Sequence, residues 1–171
     1  MSRRDDNLEL GSRLLIGAIA GFVGTLAMTA AMSKMHRKLP AKERYPLTPR
    51  EIIDSAVAAP DERAKDLTTA AHFAYGAACG AIIAAANPRV APATAAAAGV
   101  AVWLVSYMGW IPGVGLLKPA TDHPMRRNLL MIRAHLVWGM ATARTMRQLL
   151  DARETIFAGG RDRDVPGRRR T

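Results

Sequence analysis

The residues in this 171-residue chain best suited to chemistry are two histidines in matching surroundings. Ala71–Gly80 reads AHFAYGAACG and Ala134–Ala143 reads AHLVWGMATA, so His72, Tyr75 and Gly76 recur as His135, Trp138 and Gly139. An ionisable side chain inside an apolar helix is rare, and by default it is a functional hypothesis. Two such imidazoles, with Arg133 close by in sequence, could relay protons, sense pH or bind a polar ligand. The simpler alternative gives each imidazole a carbonyl or hydroxyl on an adjacent helix and a packing role. Thr68, Thr69, Ser106 and Tyr107 are available partners for that role. Packing has the edge, because no carboxylate lies within the apolar segments to complete a proton relay.

Other chemistries find little support. A single cysteine, Cys79, excludes an intrachain disulfide framework and a cysteine-based zinc cluster. The four histidines are scattered, so neither a metal site nor a cofactor is expected; His36 and His123 fall in connections and are expected to be solvated. No Ser/His/Asp arrangement or phosphate-binding loop occurs, and Gly113-Val114-Gly115 is an isolated fragment. Enzyme activity is therefore not expected.

The elements that must position the histidines follow from where the charges are absent. Mean hydropathy is only +0.02 and aromatics are 5%, which on average describes a soluble protein, but the apolar residues are bunched. Leu14–Ser33 holds no charge over 20 positions. At about 1.5 Å per residue this is roughly 30 Å of helix, the thickness of a bilayer core. A cleaved signal peptide is the competing reading, but its apolar region would be shorter, about 7–15 residues. The sequence predicts an all-α integral membrane bundle of four transmembrane helices, at about 14–33, 67–86, 93–111 and 129–147. The last is the least apolar, with Arg133 and His135 inside it; a buried arginine costs about 2.5–3.5 kcal/mol on insertion scales. A soluble Ala-rich bundle would show a polar stripe along each helix, and the first and third segments have none.

Around this 14–147 domain lie a basic segment 1–13 and a charged tail 148–171; helix is expected to continue through Arg144, Arg147 and Arg153, and the closing GGRDRDVPGRRRT has a composition that predicts disorder. The 34–66 connection is highly charged. Within it, Thr48-Pro49-Arg50-Glu51 has the pattern of a capping box, predicting a short helix on the membrane surface with Ile52, Ile53 and Val57 near one face. A partner-binding motif is the functional alternative for that helix. Asn87–Pro92 predicts a tight turn, whereas 112–128, rich in Pro and Gly, is not expected to be regular helix.

Glycines indicate how the helices meet. Gly17 with Gly21 and Gly76 with Gly80 are small-xxx-small pairs that permit close crossing, and Gly139 lies one turn after His135. The matching segments raise a further expectation, that the first two and last two helices are parallel copies of one helical pair. His72 and His135 would then share a depth roughly 8 Å inside the membrane. Chance recurrence in an Ala-rich chain is the alternative.

The net charge of +10 lies beside the apolar runs and in the tail, as expected for contact with anionic headgroups. It forms no basic face on a soluble domain, so nucleic acid is not an expected partner. A second copy or another membrane protein is. Orientation stays open because Lys and Arg divide 12 against 11 between the two sides; bases following the last helix favour cytoplasmic termini.

The order of these features resembles the YagU family of small bacterial inner-membrane proteins with a domain of unknown function. The likeness rests on the Gly-rich first helix, Pro-Leu-Thr-Pro-Arg at Pro46–Arg50, the His-containing second helix and AHLVWG at Ala134–Gly139. It spans roughly Leu14 to Arg147. Thr48 stands where the family pattern has a second proline, and the apolar segments are unusually Ala-rich. The resemblance implies an inner-membrane location, a loose link to acid tolerance and no known enzyme activity, and it supplies no established catalytic residues. Two functions follow as expectations: a non-enzymatic protein supporting envelope or acid-stress physiology, or a small transporter or proton pathway using the histidine pair.

Overall fold

The computed structural model describes residues 8–160. The described residues are helical, without strands. Helix α1 is Leu10–His36, α2 is Thr48–Ala56 and α3 is Asp61–Ala86. Helix α4 runs from Pro92 to Gly113 and contains a π-helical stretch at Val105–Trp110; α5 is Met125–Glu154. Three of these, α1, α3 and α4, are long and apolar enough to cross a membrane. The fourth long helix, α5, is less apolar, with Arg133, His135 and Arg144 along its middle, so three of the expected four spans are long and apolar enough to cross.

Each long helix exceeds its predicted bounds, because a helix in a bundle continues as long as it has something to pack on or pair with. α1 starts within the 1–13 segment and α3 starts within the 34–66 connection. The charged tail is helical through Glu154: Leu150 is buried in a cluster with Ile16 and Val90, and Arg89 pairs with Glu154 at 2.9 Å. The predicted disorder at 161–171 and the first seven residues lie outside the described residues. α4 also continues through Pro112, against expectation. A proline ring clashes with the carbonyl four residues back and removes a donor; the wider π turn just before it accommodates both.

Helices α1 and α4 run parallel to each other and antiparallel to α3 and α5. α1 packs along α3 and α5, and α4 packs along α5. At the first crossing the two glycine pairs face each other: a Cβ on Gly17 would lie 2.5 Å from Ala84 Cβ, and one on Gly80 would lie 2.7 Å from Gly21 Cα. Only hydrogen fits at these positions, as close small-xxx-small packing requires. At the second crossing Gly139 abuts the Ala95 carbonyl and Gly99 abuts that of His135. α3 and α4 are not packed along their lengths, which leaves a gap between them.

Candidate functional site

The gap widens into a cavity of ≈ 250 Å³ in the half of the bundle nearest the 37–60 and 114–124 connections. Four of the predicted site residues line it: His72 and Tyr75 from α3, His135 and Trp138 from α5. Their convergence follows from the parallel course of α3 and α5, which puts the two matching segments at one level. Arg133 does not line the cavity and is exposed on the outer face of α5, two residues from His135 and so on a different side of the helix. Gly76 lines the wall beside Thr25 of α1, while Gly17, Gly21, Gly80 and Gly139 serve the crossings.

The two imidazoles differ in what holds them. His135 Nδ1–H donates to the Met131 carbonyl at 2.8 Å, leaving Nε2 of the neutral ring as an acceptor. His72 Nε2 is buried and has no hydrogen-bond partner, while the ring stands edge-on to Phe73 at 5.9 Å. The expected partners of the histidines are engaged elsewhere. Thr68 bonds the Ala64 carbonyl, and Ser106 bonds Val102 O at 2.7 Å and the Tyr75 hydroxyl at 2.8 Å. That last contact bridges α3 and α4 across the gap. Trp138, 3% exposed, closes the floor, donating its indole N–H to Gly21 O and Thr25 Oγ1, each at 3.2 Å.

Helix α2 does not lie free on a membrane surface. Thr48, Pro49, Ile52 and Ile53 line the cavity, so α2 covers its end away from the termini. The predicted capping box does not form: Leu47 is the N-cap residue, and no side chain caps the helix. Glu51 turns instead toward Arg127, with Oε2 at 3.6 Å from Nη2. Burial pushes the Glu51 carboxyl above its ordinary value of 4.5, against the opposing pull of Arg127 and His123.

Arg127 is the residue most clearly missed in the sequence. It is 3% exposed, donates to the carbonyls of Glu43 at 3.2 Å, Tyr45 at 2.9 Å and Pro46 at 2.7 Å, and sits 3.5 Å above the Tyr45 ring. It thereby ties the start of α5 to the segment entering α2. The expectation that His36 and His123 are solvated is also corrected. His36 Nε2 lies 3.1 Å from Tyr45 O, and His123 stacks on Tyr107 at 5.3 Å with its Nε2 buried. Both connections fold back over the bundle end, and that closure half-buries the two rings.

No group of acidic, histidine or cysteine side chains suited to a metal ion occurs among the described residues. No protein-family model, curated protein or solved structure matches this chain.

Proposed function

We propose that this is a non-enzymatic integral protein of a bacterial inner membrane, similar to the YagU family, which binds an uncharged membrane-borne molecule in support of envelope or acid-stress physiology. The observation that carries this reading is the meeting of His72 and His135 in one dead-ended cavity. Beyond it, toward the chain termini, the bundle is packed by Ala20, Ala84, Ala95 and Ala143, each 0% exposed, and by the glycine crossing. A binding pocket needs one opening, whereas a transport path needs two. No carboxylate lines the cavity to pass a proton onward.

The fourth helix crosses the membrane with the other three in this reading. α5 begins at the 37–60 connection, through Arg127, and ends at the 87–91 turn, where Arg89 pairs with Glu154. Those points mark the two ends of α3 and α4, so α5 covers the same span. Arg133 and the other bases of α5 face headgroups or snorkel toward them. The antiparallel pairs α1/α3 and α4/α5 run in the same sense, which also supports an origin by duplication.

The test is rescue of a deletion strain at low pH. A His72→Ala/His135→Ala protein that accumulates normally in membranes should fail to rescue, while Arg133→Gln should succeed. Wild-type protein in liposomes should leave a proton gradient intact. Full rescue by the double variant refutes the binding reading, and a protein-dependent proton leak moves the assignment to the transporter alternative.

A further inference from the structure

The cavity carries enough chemistry to name the class of its occupant, on the reading that it is a binding pocket. Its wall is unusually aromatic. All three tryptophans of the protein, Trp103, Trp110 and Trp138, and two of its three tyrosines line it. No charged side chain does, so a charged ligand would be desolvated without compensation. Aromatic walls favour a flat π-system through offset and edge contacts. Size agrees: an apolar cavity of about 150 Å³ accepts benzene, so ≈ 250 Å³ leaves room for ring substituents.

The polar groups then fix what the ring must carry. His72 Nε2 is buried and lacks a partner, an arrangement that costs stability unless something else satisfies it. The tautomer with hydrogen on Nε2 donates to a carbonyl oxygen. His135 is held in the opposite sense: its Nδ1–H is committed to Met131 O, so its Nε2 accepts from a hydroxyl. One wall is the π-helical stretch Val105–Trp110, a local geometry found often at functional sites.

Access comes from the lipid side. The gap between α3 and α4 is crossed by the Tyr75–Ser106 hydrogen bond, and the Tyr75 and Trp110 rings stand 6.4 Å apart. Both residues are over two-fifths exposed, Tyr75 at 43% and Trp110 at 42%, and form the lips of a lateral opening. The geometry points to a site for the ring of a neutral quinone or its quinol, entering from the bilayer, with one ring oxygen accepting from His72 and, in the quinol, the hydroxyl across the ring donating to His135. Binding alone is assigned, with no electron transfer.

Because every tryptophan lines the cavity, intrinsic emission of the purified protein in detergent reports on it directly. Titration with a short-chain ubiquinone should quench emission saturably. His72→Leu should weaken that binding roughly three- to tenfold, the cost of one hydrogen bond. Cys79→Leu, which leaves both histidines in place and fills part of the cavity, should weaken it through volume. Helical circular dichroism confirms that each variant is folded. A brominated alkyl chain is the parallel probe. Saturable quenching by the chain and not by the quinone overturns the ring assignment and leaves the pocket reading intact; saturation by neither overturns both. Quinone binding unchanged in both variants also overturns the site.

Discussion

Replacing Arg127 with methionine tests the link between the connections and the α2 end of the cavity. Methionine keeps an apolar stem of similar reach but donates nothing. The carbonyls of Glu43, Tyr45 and Pro46 then lose a shared donor, Tyr45 loses its cation, and Glu51 is left buried without its counter-ion at 3.6 Å. Breaking a buried charge pair by removing one partner costs about 3–5 kcal/mol. The three carbonyl bonds are not added to this figure, because a released loop turns its carbonyls to water. Arg127→Lys retains the charge, but one ammonium cannot reproduce the planar fork that reaches three carbonyls, so an intermediate loss of about 1–3 kcal/mol is expected. Unfolding in mixed micelles by increasing SDS, followed by tryptophan emission, gives both values. Limited proteolysis should show cleavage within 37–60 in Arg127→Met while circular dichroism retains the long helices. If both variants unfold within about 0.5 kcal/mol of the parent, the typical range of a neutral surface change, then Arg127 does not hold the connection.

The same micelle assay checks two further points. Gly80→Ala should destabilise by about 1–3 kcal/mol, the usual cost of overpacking, because the new methyl would lie 2.7 Å from Gly21 Cα. Gly109→Ala, with nothing within 4 Å, is the control, and an equal loss at both positions would contradict the crossing. Glu51→Gln tests the balance at the α2 end of the cavity. Burial raises the folded carboxyl above 4.5, so protonation favours the fold; that stability is full below 4.5 and is lost as pH rises through the raised value. Glutamine should therefore raise the unfolding midpoint at neutral pH and leave it unchanged in acid. A lowered midpoint at neutral pH would mean that the Arg127 contact outweighs desolvation.

The features legible in the sequence were those written as local patterns. Uncharged runs located α1, α3 and α4, and small-xxx-small spacing found the glycines of the first crossing. The His-x-x-aromatic-Gly match brought out His72, Tyr75, His135 and Trp138, which do share one cavity. Arg133 is near His135 only along the chain, and helical geometry turns it outward. Contacts between distant segments were not legible. Nothing near Arg127 in the chain announces that its guanidinium serves carbonyls more than 80 positions earlier. Thr48 and Glu51 fitted a capping pattern, but a tertiary partner outcompeted the local bond for Glu51. Pro112 read as a helix stop because the π turn that tolerates it has no simple residue signature.

The cavity itself follows from how residue sizes are distributed along the helices. Gly17, Gly80 and Ala84 bring α1 and α3 together at the end near the termini, and Ala95 with Gly139 does the same for α4 and α5. Toward the opposite end the positions are taken by Met28, His72, Trp103, Tyr107 and Met131. Large side chains hold the helices apart there, and aromatic rings with few conformers do not collapse into the space they create. The 37–60 connection, fastened by Arg127, then seats α2 over the end of the cavity away from the termini, leaving the lateral gap between α3 and α4. Because small residues close one end and large ones prop the other, the cavity ends at the small-residue seam. Enlarging the seam residues would therefore disturb the bundle while leaving the histidine site in place, whereas enlarging Cys79 would fill part of the cavity and leave both the bundle and the histidines in place.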